Sequence, residues 1–176
     1  KTGGTMKNDV FSIWLIGPSA SGKTTVSQKI YELLSPNHKN IILLDGDHAR
    51  KIFVNESGYD PVSRSNNIKK YVGVVKWLNS FGISTIVAAI NAFEKDRIYC
   101  REKINNYFEV FLKCSLEERI KRDKKKLYKP ALSGEKKFVV DVDIPFEKPI
   151  KANLVIETEK DTPENIAEKI IKGLNI

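Results

Sequence analysis

The stretch LIGPSASGKTT, residues 15–25, carries the pattern G-x-x-x-x-G-K-(S/T) between Gly17 and Thr24. A short apolar run, FSIWLI, precedes it, and a segment with the apolar spacing of a helix follows it. A buried strand and a helix are the context in which this pattern forms a phosphate-binding loop, or P-loop. The glycines let backbone N–H groups curve around a polyphosphate, and the N-terminus of the helix adds partial positive charge. The stretch therefore predicts a site for the phosphates of a nucleoside triphosphate, with ATP and Mg²⁺ as the expected cofactors.

Each position of this loop has an expected task. The ammonium group of Lys23 reaches the β- and γ-phosphates, and the hydroxyl of Thr24 is a ligand for Mg²⁺. Lys23 is therefore an expected catalytic residue. The expected ATP-binding residues of the loop are Gly17, Ser19, Ala20, Ser21, Gly22, Lys23, Thr24 and Thr25.

Apolar runs alternate with helix-patterned segments along the rest of the chain. Strands are predicted at residues 11–16, 41–45, 83–90, 107–114 and 152–158, and helices at 25–34, 62–81, 94–106, 115–122 and 162–174. This alternation is typical of an α/β three-layer fold. With the P-loop, it predicts a P-loop NTPase or kinase fold that has a five-stranded parallel sheet and helices on both faces. Residues 123–151 fit no element, and a loop of that length in a compact domain is often a lid over a site.

Three helix ends carry recognisable boundary residues. Ser115 is an expected N-cap, with Glu118 completing a capping box. Thr162 and Pro163 are expected to begin the last helix. Gly82 stands where a helix end requires a residue that tolerates positive φ.

The second predicted strand ends in LLDGDHAR, residues 43–50. Ligands of parallel sheets bind at the carboxyl ends of the strands, so Asp45 is expected beside the γ-phosphate. Its carboxylate could accept the proton of an attacking hydroxyl or hold Mg²⁺ through water. Asp45 is thus the second expected catalytic residue and, with Thr24, the expected metal site. Asp47 could contact the acceptor or cap the following helix, and Arg50 offers a guanidinium fork for an anion.

Length and charge limit the function further. The 176 residues suit one domain, taken as residues 6–176, with residues 1–5 interpreted as an expression remnant. The net charge of +8 favours an anionic partner. The basic run KRDKKKLYK, residues 121–129, has one aromatic residue and no nucleic-acid-binding motif, so no nucleic-acid partner is expected. No apolar run suits a membrane span and no signal peptide is recognisable, so we expect a cytoplasmic protein without a membrane partner, which could form a homodimer.

A P-loop alone is shared by kinases, GTPases and mechanical ATPases. The guanine-reading sequence N-K-x-D of GTPases does not occur in this chain. A motor ATPase is usually larger and has partner modules, whereas this chain is short and has a lid-like loop. These features favour a small-molecule kinase. A nucleic-acid-end kinase and a nucleotide-binding regulator without turnover remain as alternatives.

The chain from residue 11 onward resembles the adenylylsulfate kinase family, P-loop enzymes that phosphorylate the 3′-hydroxyl of adenosine 5′-phosphosulfate. The segments that carry the resemblance are GPSASGKTT, LLDGDHAR, SGYDPVSRSNNIKK, EKDR, RDKKKLYKPALSGE and DIPFEKP. The resemblance implies that Asp45 receives the hydroxyl proton, that Arg122 lies against the ATP adenine, and that residues 125–133 form the lid segment. Tyr59 stands where the family has a phenylalanine that stacks on the acceptor base. The acceptor-binding residues that the resemblance implies are Arg50, Tyr59, Arg64 and Asn67, although Arg64 and Asn67 could instead be plain helix residues, and Asp47 joins this expected set from its place after the second strand.

Two stretches depart from the family pattern, and both bear on the acceptor. VAAINAF, residues 87–93, stands where the family commonly reads VAFISPY, so Ala89 replaces an aromatic residue and Asn91 replaces a serine. KFVVDVD, residues 137–143, stands where the family has G-F-T-G, which moves the lid aromatic to Phe138 and puts Val139 in its place. An offset of one residue in an extended segment turns a side chain to the opposite face. Ala89, Asn91 and Phe138 are therefore further expected acceptor-binding residues, in a pocket altered for base and tail.

This combination is similar to the cytidine diphosphoramidate kinases of bacterial capsule modification, a divergent branch of the family. The resemblance implies that the small-molecule acceptor is a pyrimidine nucleotide with a phosphoramidate tail. The N–H groups of that tail could donate hydrogen bonds to the side-chain oxygen of Asn91, whereas a sulfate group has only acceptors. Adenosine 5′-phosphosulfate remains the alternative acceptor.

Overall fold

The computed structural model of the chain describes residues 10–52 and 58–174. The expected expression remnant at residues 1–5 lies outside the described residues. The strands are β1 (Ser12–Ile16), β2 (Ile41–Asp45), β3 (Ser84–Ala89), β4 (Tyr107–Lys113) and β5 (Leu154–Glu157). The helices are α1 (Lys23–Leu34), α2 (Gly46–Ile52), α3 (Pro61–Ser80), α4 (Glu94–Lys103), α5 (Leu116–Arg122), α6 (Tyr128–Leu132) and α7 (Pro163–Leu174).

The five strands form one parallel sheet in the order β2-β3-β1-β4-β5. β1 lies in the middle, with Ser12 opposite Thr85 of β3 and Tyr107 of β4. Every residue of β1 and β3 is buried, as expected for strands covered by helices on both faces. The carboxyl ends of β1, β2 and β3 therefore meet at one edge of the sheet, and the predicted fold is confirmed.

Two hydrophobic clusters fill the space between the sheet and its helices. Because neighbouring strand residues point to opposite faces, Ile13 and Leu15 belong to one cluster and Trp14 and Ile16 to the other. The first cluster includes residues of α1 and α7, and the second includes residues of α3 and α4. This gives the three layers that the sequence predicts.

Several helix ends differ from the predicted ones. α1 begins two residues earlier than expected, at Lys23. α4 ends three residues early because Ile104 takes an extended conformation and is buried in the core. The capping box is only half right: the Ser115 hydroxyl accepts the Glu118 N–H at 3.2 Å, whereas the Ser115 N–H donates to Glu159.

The other two predicted boundaries are confirmed. Gly82 has φ of +75° just after α3. The Thr162 hydroxyl accepts the Asn165 N–H at 3.2 Å, and Pro163 opens α7. Both ends therefore follow from local sequence.

The segment predicted to be a loop at residues 123–151 contains the short helix α6 and an isolated bridge between Val140 and Ile144. Tyr128, Ala131 and Val139 form a small buried cluster there, against Ala20 of the P-loop and residues of α5. Residues 132–138 are exposed. The expected lid region therefore has a packed part and an exposed part.

Within residues 10–52 and 58–174, no helix is both long enough and apolar enough to cross a lipid bilayer.

Candidate active site

The P-loop joins the end of β1 to α1, and its glycines are required by close contacts. A Cβ atom on Gly17 would lie 2.7 Å from the carbonyl oxygen of Leu112 and 2.8 Å from the hydroxyl of Ser21. Gly22, the N-cap of α1, has φ of +96° and supplies no side chain to cap the helix. The first N–H groups of α1 have no partner within the helix, so this end suits a bound anion.

Lys23 is the first residue of α1, and its side chain folds back over the loop. Its Nζ donates to the carbonyl oxygen of Pro18 at 2.6 Å and lies 3.5 Å from the hydroxyl of Ser21. Removal of this ammonium group from water lowers the pKa of Lys23 to about 7, although the charges of Asp47 and Asp45 act in the opposite direction. A polyphosphate beside Lys23 would favour its charged form.

Thr24 and Asp45 meet at the carboxyl edge of the sheet. The Thr24 hydroxyl donates to Oδ2 of Asp45 at 2.7 Å, and Oδ1 of the same carboxylate accepts the N–H of Asp47 at 2.9 Å. Asp45 is 8% exposed. Asp45, and not Asp47, therefore caps the start of α2 with its side chain, so the interpretation of Asp47 as the N-cap is wrong.

Gly46 brings α2 close to β3. A Cβ atom on Gly46 would lie 2.9 Å from the carbonyl oxygen of Ala88. The carbonyl oxygen of Gly46 accepts a hydrogen bond from the Tyr71 hydroxyl at 2.9 Å. These contacts fix the chain immediately after Asp45.

The oxygens of Thr24 and Asp45 suit Mg²⁺, which prefers hard oxygen ligands and retains several waters. Among the residues that the structure describes, no group of three or more His, Cys, Asp or Glu side chains could hold a metal ion. A magnesium ion at this edge would accordingly depend on phosphate oxygens and water for most of its ligands.

Three of the expected acceptor-binding residues lie together around Tyr59, which is 58% exposed. The guanidinium carbon of Arg50 lies 4.6 Å from the centre of the Tyr59 ring, and that of Arg64 lies 5.6 Å from it. Burial, together with the charge of Arg50, lowers the pKa of Arg64 to about 10, so Arg64 remains charged at neutral pH. An exposed ring beside two cations can stack on a base while binding an anion.

Arg64 also joins this group to the expected lid region, residues 123–151. Its Nε donates to the Tyr59 carbonyl oxygen and its Nη2 to the Phe138 carbonyl oxygen, both at 2.7 Å. Phe138 is 44% exposed with φ of +65°, whereas Val139 is 5% exposed and packs in the cluster with Tyr128. The two neighbouring side chains thus lie in different environments, but the left-handed backbone of Phe138 shows that this segment is not the extended one expected from the sequence.

Other expected acceptor-binding residues are buried beside this edge. Nδ2 of Asn67 donates to the Tyr71 hydroxyl at 2.8 Å, so Asn67 supports the residue that holds Gly46. Ala89 ends β3 and is 5% exposed. These two residues help to build the edge from within.

Asn91 has φ of +44°, and its Nδ2 lies 3.7 Å from the thiol sulfur of Cys100. Its Oδ1 is buried and has no hydrogen-bond partner among the described residues. The Asn91 amide nitrogen therefore lies beside Cys100 of α4, and the expected part of Asn91 in acceptor binding stays a prediction.

Arg122 lies at the end of α5, next to the end of β5. It donates to Glu118 at 2.9 Å and to the carbonyl and hydroxyl oxygens of Thr158, both at 3.3 Å. These bonds use the edges of the guanidinium group, so an aromatic base would approach its face.

Sequence reasoning missed three contacts between the lid region and the rest of the site. Lys125 forms an ion pair with Asp47, and Tyr128 donates to the Ser19 carbonyl oxygen at 2.7 Å. Arg119 donates to the Tyr128 hydroxyl at 2.7 Å. The sequence contains only a weak indication of these contacts. Tyr128 stands out as the one aromatic residue of the basic run at residues 121–129, but nothing distinguishes Arg119 from the other charged residues of α5.

Comparison with known sequences places the chain among kinases. Residues 9–157 match the sequence profile of the adenylylsulphate kinase family. A cytidine diphosphoramidate kinase of Campylobacter jejuni is 42% identical over 170 residues, which cover 96% of this chain and 99% of that protein. An adenylyl-sulfate kinase of Staphylococcus epidermidis is 38% identical over 164 residues, covering 92% of this chain and 82% of that protein.

Solved structures agree with the fold. The adenylylsulfate (APS) kinase of Mycobacterium tuberculosis, in complex with AMPPNP and APS, has a TM-score of 0.90 at 26% identity, covering 96% of this chain and 99% of that chain. A hexameric APS kinase from Thiobacillus denitrificans has a TM-score of 0.71 at 19% identity, covering 96% of this chain and 29% of that one. The second likeness is one of fold.

Proposed function

Because this chain belongs to the adenylylsulfate kinase family, we propose that it transfers the γ-phosphate of ATP to the 3′-hydroxyl of a nucleoside 5′-phosphate derivative. Kinase activity itself follows from the family, since the relatives are ATP-dependent phosphotransferases. The observation that carries the proposed chemistry is the hydrogen bond of 2.7 Å from the Thr24 hydroxyl to the Asp45 carboxylate. Thr24 directly follows Lys23 in the P-loop. This hydrogen bond joins a phosphate-binding helix end to a carboxylate at the edge where an acceptor would lie.

In the proposed reaction, the 3′-oxygen of the acceptor forms a bond to the γ-phosphorus as the bond to the β–γ bridging oxygen breaks. ADP leaves, and the proton of the hydroxyl passes to Asp45 or through it to water. Lys23 neutralises charge that develops on the transferred group. Thr24 and Asp45 would hold Mg²⁺, which when bound supplies positive charge among the phosphate oxygens. Positioning and electrostatics provide most of the catalysis, because the loose transition state needs little covalent help.

The acceptor would bind on the side of Tyr59. Arg50 and Arg64 offer two guanidinium groups for its anionic 5′ end, and Tyr59 offers a ring for its base. Asp47 and Lys125 form an ion pair, and both charges act on the pKa of the P-loop lysine, Lys23. The acceptor would therefore approach between α2 and the lid region.

We infer further that the preferred acceptor is cytidine diphosphoramidate. The near full-length similarity to the Campylobacter jejuni kinase supports this choice. The packing of Val139 also supports it, because a side chain buried in the lid cluster offers no stacking face for a purine. Phe138 stays exposed but stands one residue away, and Ala89 adds no ring at the end of β3.

A second candidate acceptor is adenosine 5′-phosphosulfate. The similarity to the Staphylococcus epidermidis enzyme and to the complex from Mycobacterium tuberculosis favours it. The cations Arg50 and Arg64 would serve either acceptor, since both carry a phosphate at the 5′ position. The preference between the two acceptors therefore depends on how the pocket binds their bases and their 5′ tails.

The test of the proposed chemistry is phosphorylation of a panel of nucleoside 5′-phosphate derivatives with ATP and Mg²⁺. Phosphorus NMR of the product should show a new 3′-phosphate, and the Asp45→Asn variant should form little of it. A phosphate on any other position of the acceptor, or ATP consumption that is independent of acceptor, would contradict the proposal. Omission of Mg²⁺ tests the metal in the same assay.

A further inference from the structure

The lid helix α6 is hydrogen-bonded directly to the P-loop. The Tyr128 hydroxyl donates to the carbonyl oxygen of Ser19 at 2.7 Å and accepts from Nη1 of Arg119 at 2.7 Å. Tyr128 is 0% exposed, and burial raises the pKa of Tyr128, so the hydroxyl keeps the proton that it donates. A buried hydroxyl with both partners satisfied holds its neighbours in one arrangement.

Arg119 extends this connection to the protein surface. It is 1% exposed, donates to the Ser115 carbonyl oxygen at 3.3 Å, and forms an ion pair with the carboxylate of Asp141. The Asp141 side chain is 44% exposed. Three side chains therefore form a continuous path from a surface turn to the P-loop: Asp141, Arg119 and Tyr128.

The turn that carries Asp141 is itself ordered by hydrogen bonds. The Asp141 residue has φ of +67°, and its N–H donates to the Ile144 carbonyl oxygen at 2.6 Å. The Asp143 carboxylate accepts the N–H groups of Phe138 and Val139, each at 2.6 Å. The position of Asp141 is thus set by its own turn and does not depend on Arg119 alone.

The Ser19 carbonyl matters because of peptide geometry. In a trans peptide, the carbonyl oxygen and the following N–H point in opposite directions. A bond from Tyr128 to the Ser19 oxygen therefore aims the N–H of Ala20 away from Tyr128. Ala20 has φ of +60°, a left-handed conformation that costs energy for a residue with a side chain and needs support from its surroundings.

We propose that Tyr128 is a positioning residue that holds the Ser19–Ala20 peptide in its nucleotide-binding orientation, and that Asp141 tunes nucleotide affinity from the lid turn through Arg119. Neither Tyr128 nor Asp141 is part of the phosphate-binding pattern. The inference concerns the nucleotide side alone, so it does not depend on which acceptor the enzyme uses.

The first test is Tyr128→Phe, which removes the hydroxyl and keeps the ring in its cluster. The dissociation constant of a non-hydrolysable ATP analogue with Mg²⁺ should rise about fivefold to tenfold, as expected for one lost hydrogen bond. The KM for ATP should rise equally, while kcat at saturating ATP changes less than twofold. The control is Tyr31→Phe, because Tyr31 packs in the cluster of α1 and α7 and should leave all three values unchanged.

The second test is a double-mutant cycle with the exposed carboxylate of Asp141. Asp141→Asn should weaken binding of the analogue about threefold alone and have no further effect in the Tyr128→Phe background. The matched control is Glu32→Gln, which removes a surface carboxylate that pairs with Lys29. This variant should leave the affinity for the analogue unchanged. Unchanged affinity in Tyr128→Phe, or an equal effect of Asp141→Asn in both backgrounds, would overturn the proposal. Because the Asp141 side chain is 44% exposed, the single variant Asp141→Asn still tests the path if Tyr128→Phe lowers stability, and unchanged affinity in Asp141→Asn would then overturn the proposal.

Discussion

The P-loop side of the site is held by backbone and buried contacts, whereas the expected acceptor side combines exposed side chains with buried ones. On the first side, a Cβ atom on Gly17 would lie 2.7 Å from a neighbouring carbonyl, and Ser21 is fully buried. On the second side, Tyr59 is 58% and Phe138 is 44% exposed. Substitution is therefore tightly restricted in the P-loop and far less restricted at Tyr59 and Phe138.

This difference explains how one fold can keep a reaction while changing its substrate. Contacts to phosphate need backbone N–H groups and one lysine, which every substrate of the reaction requires. Contacts to the base and tail need only a few side chains, and the exposed ones among them, such as Tyr59 and Phe138, can change without disturbing the core. Substitutions on the two sides should accordingly have effects of different size and kind.

The largest expected effect comes from Lys23→Ala on the P-loop side. Loss of its charge should lower kcat by about 10³ or more, because no other side chain replaces it at the transferred phosphate. Steady-state kinetics with ATP and acceptor measure this. Lys29→Ala, which removes an exposed ion-pairing lysine from the same helix, should stay within about twofold of the parent. Near-normal turnover in Lys23→Ala would refute the assignment of the P-loop.

Asp45→Asn should have the next largest effect. The amide keeps an oxygen for the Asp47 N–H but cannot accept the proton, so kcat should fall by about 10² to 10⁴. Calorimetric affinity for a non-hydrolysable ATP analogue with Mg²⁺ should change only a few-fold. If that affinity falls together with the rate, Asp45 acts chiefly in the metal site.

Lys23 also predicts a linkage between pH and nucleotide binding. Burial lowers its pKa to about 7, so above pH 7 the free protein holds Lys23 largely neutral. A polyphosphate favours the charged form, so nucleotide binding at pH 8 should take up a proton, and affinity should fall as pH rises above 7. Calorimetry in two buffers of different ionisation enthalpy measures this uptake. The observed enthalpy should differ between the buffers for the parent and not for Lys23→Met.

The smallest expected effect is ligand-dependent order in the lid region. Tyr128 and Ala131 are already packed, so hydrogen exchange should slow mainly in the exposed residues 132–138 when nucleotide and acceptor are both bound. The core strand β1 provides the internal reference. Equal exchange with and without ligands would mean that residues 123–151 do not act as a lid.

The parts of the molecule that sequence predicts well are those with local causes. The P-loop follows from a glycine pattern between a strand and a helix, and Gly82 and Thr162 mark helix ends through their own conformations. Prediction from local sequence fails where a residue that is distant in the chain takes the place of the expected local partner. Glu159 takes the Ser115 N–H that Glu118 would bind in a capping box.

Tertiary contacts also explain the missed features of the site. α6 is five residues long and contains a proline, so it has no helical pattern of its own, and its Tyr128 packs against the P-loop segment. The sequence indicates Asn91 as a departure from the family but not that its amide nitrogen lies 3.7 Å from the Cys100 sulfur on α4. The ion pair of Asp47 with Lys125 joins residues 78 positions apart.

The measurement that tests the central claim most directly is the ratio of kcat/KM for cytidine diphosphoramidate and adenosine 5′-phosphosulfate at equal ATP. We predict the larger value for cytidine diphosphoramidate, because the proposed pocket would lack one stacking face for a purine, a contact of about 1–3 kcal/mol. Arg50 and Arg64 should contribute equally to both acceptors. A value for adenosine 5′-phosphosulfate that is tenfold or more higher, about 1.4 kcal/mol in transition-state binding, would contradict the account of the acceptor side.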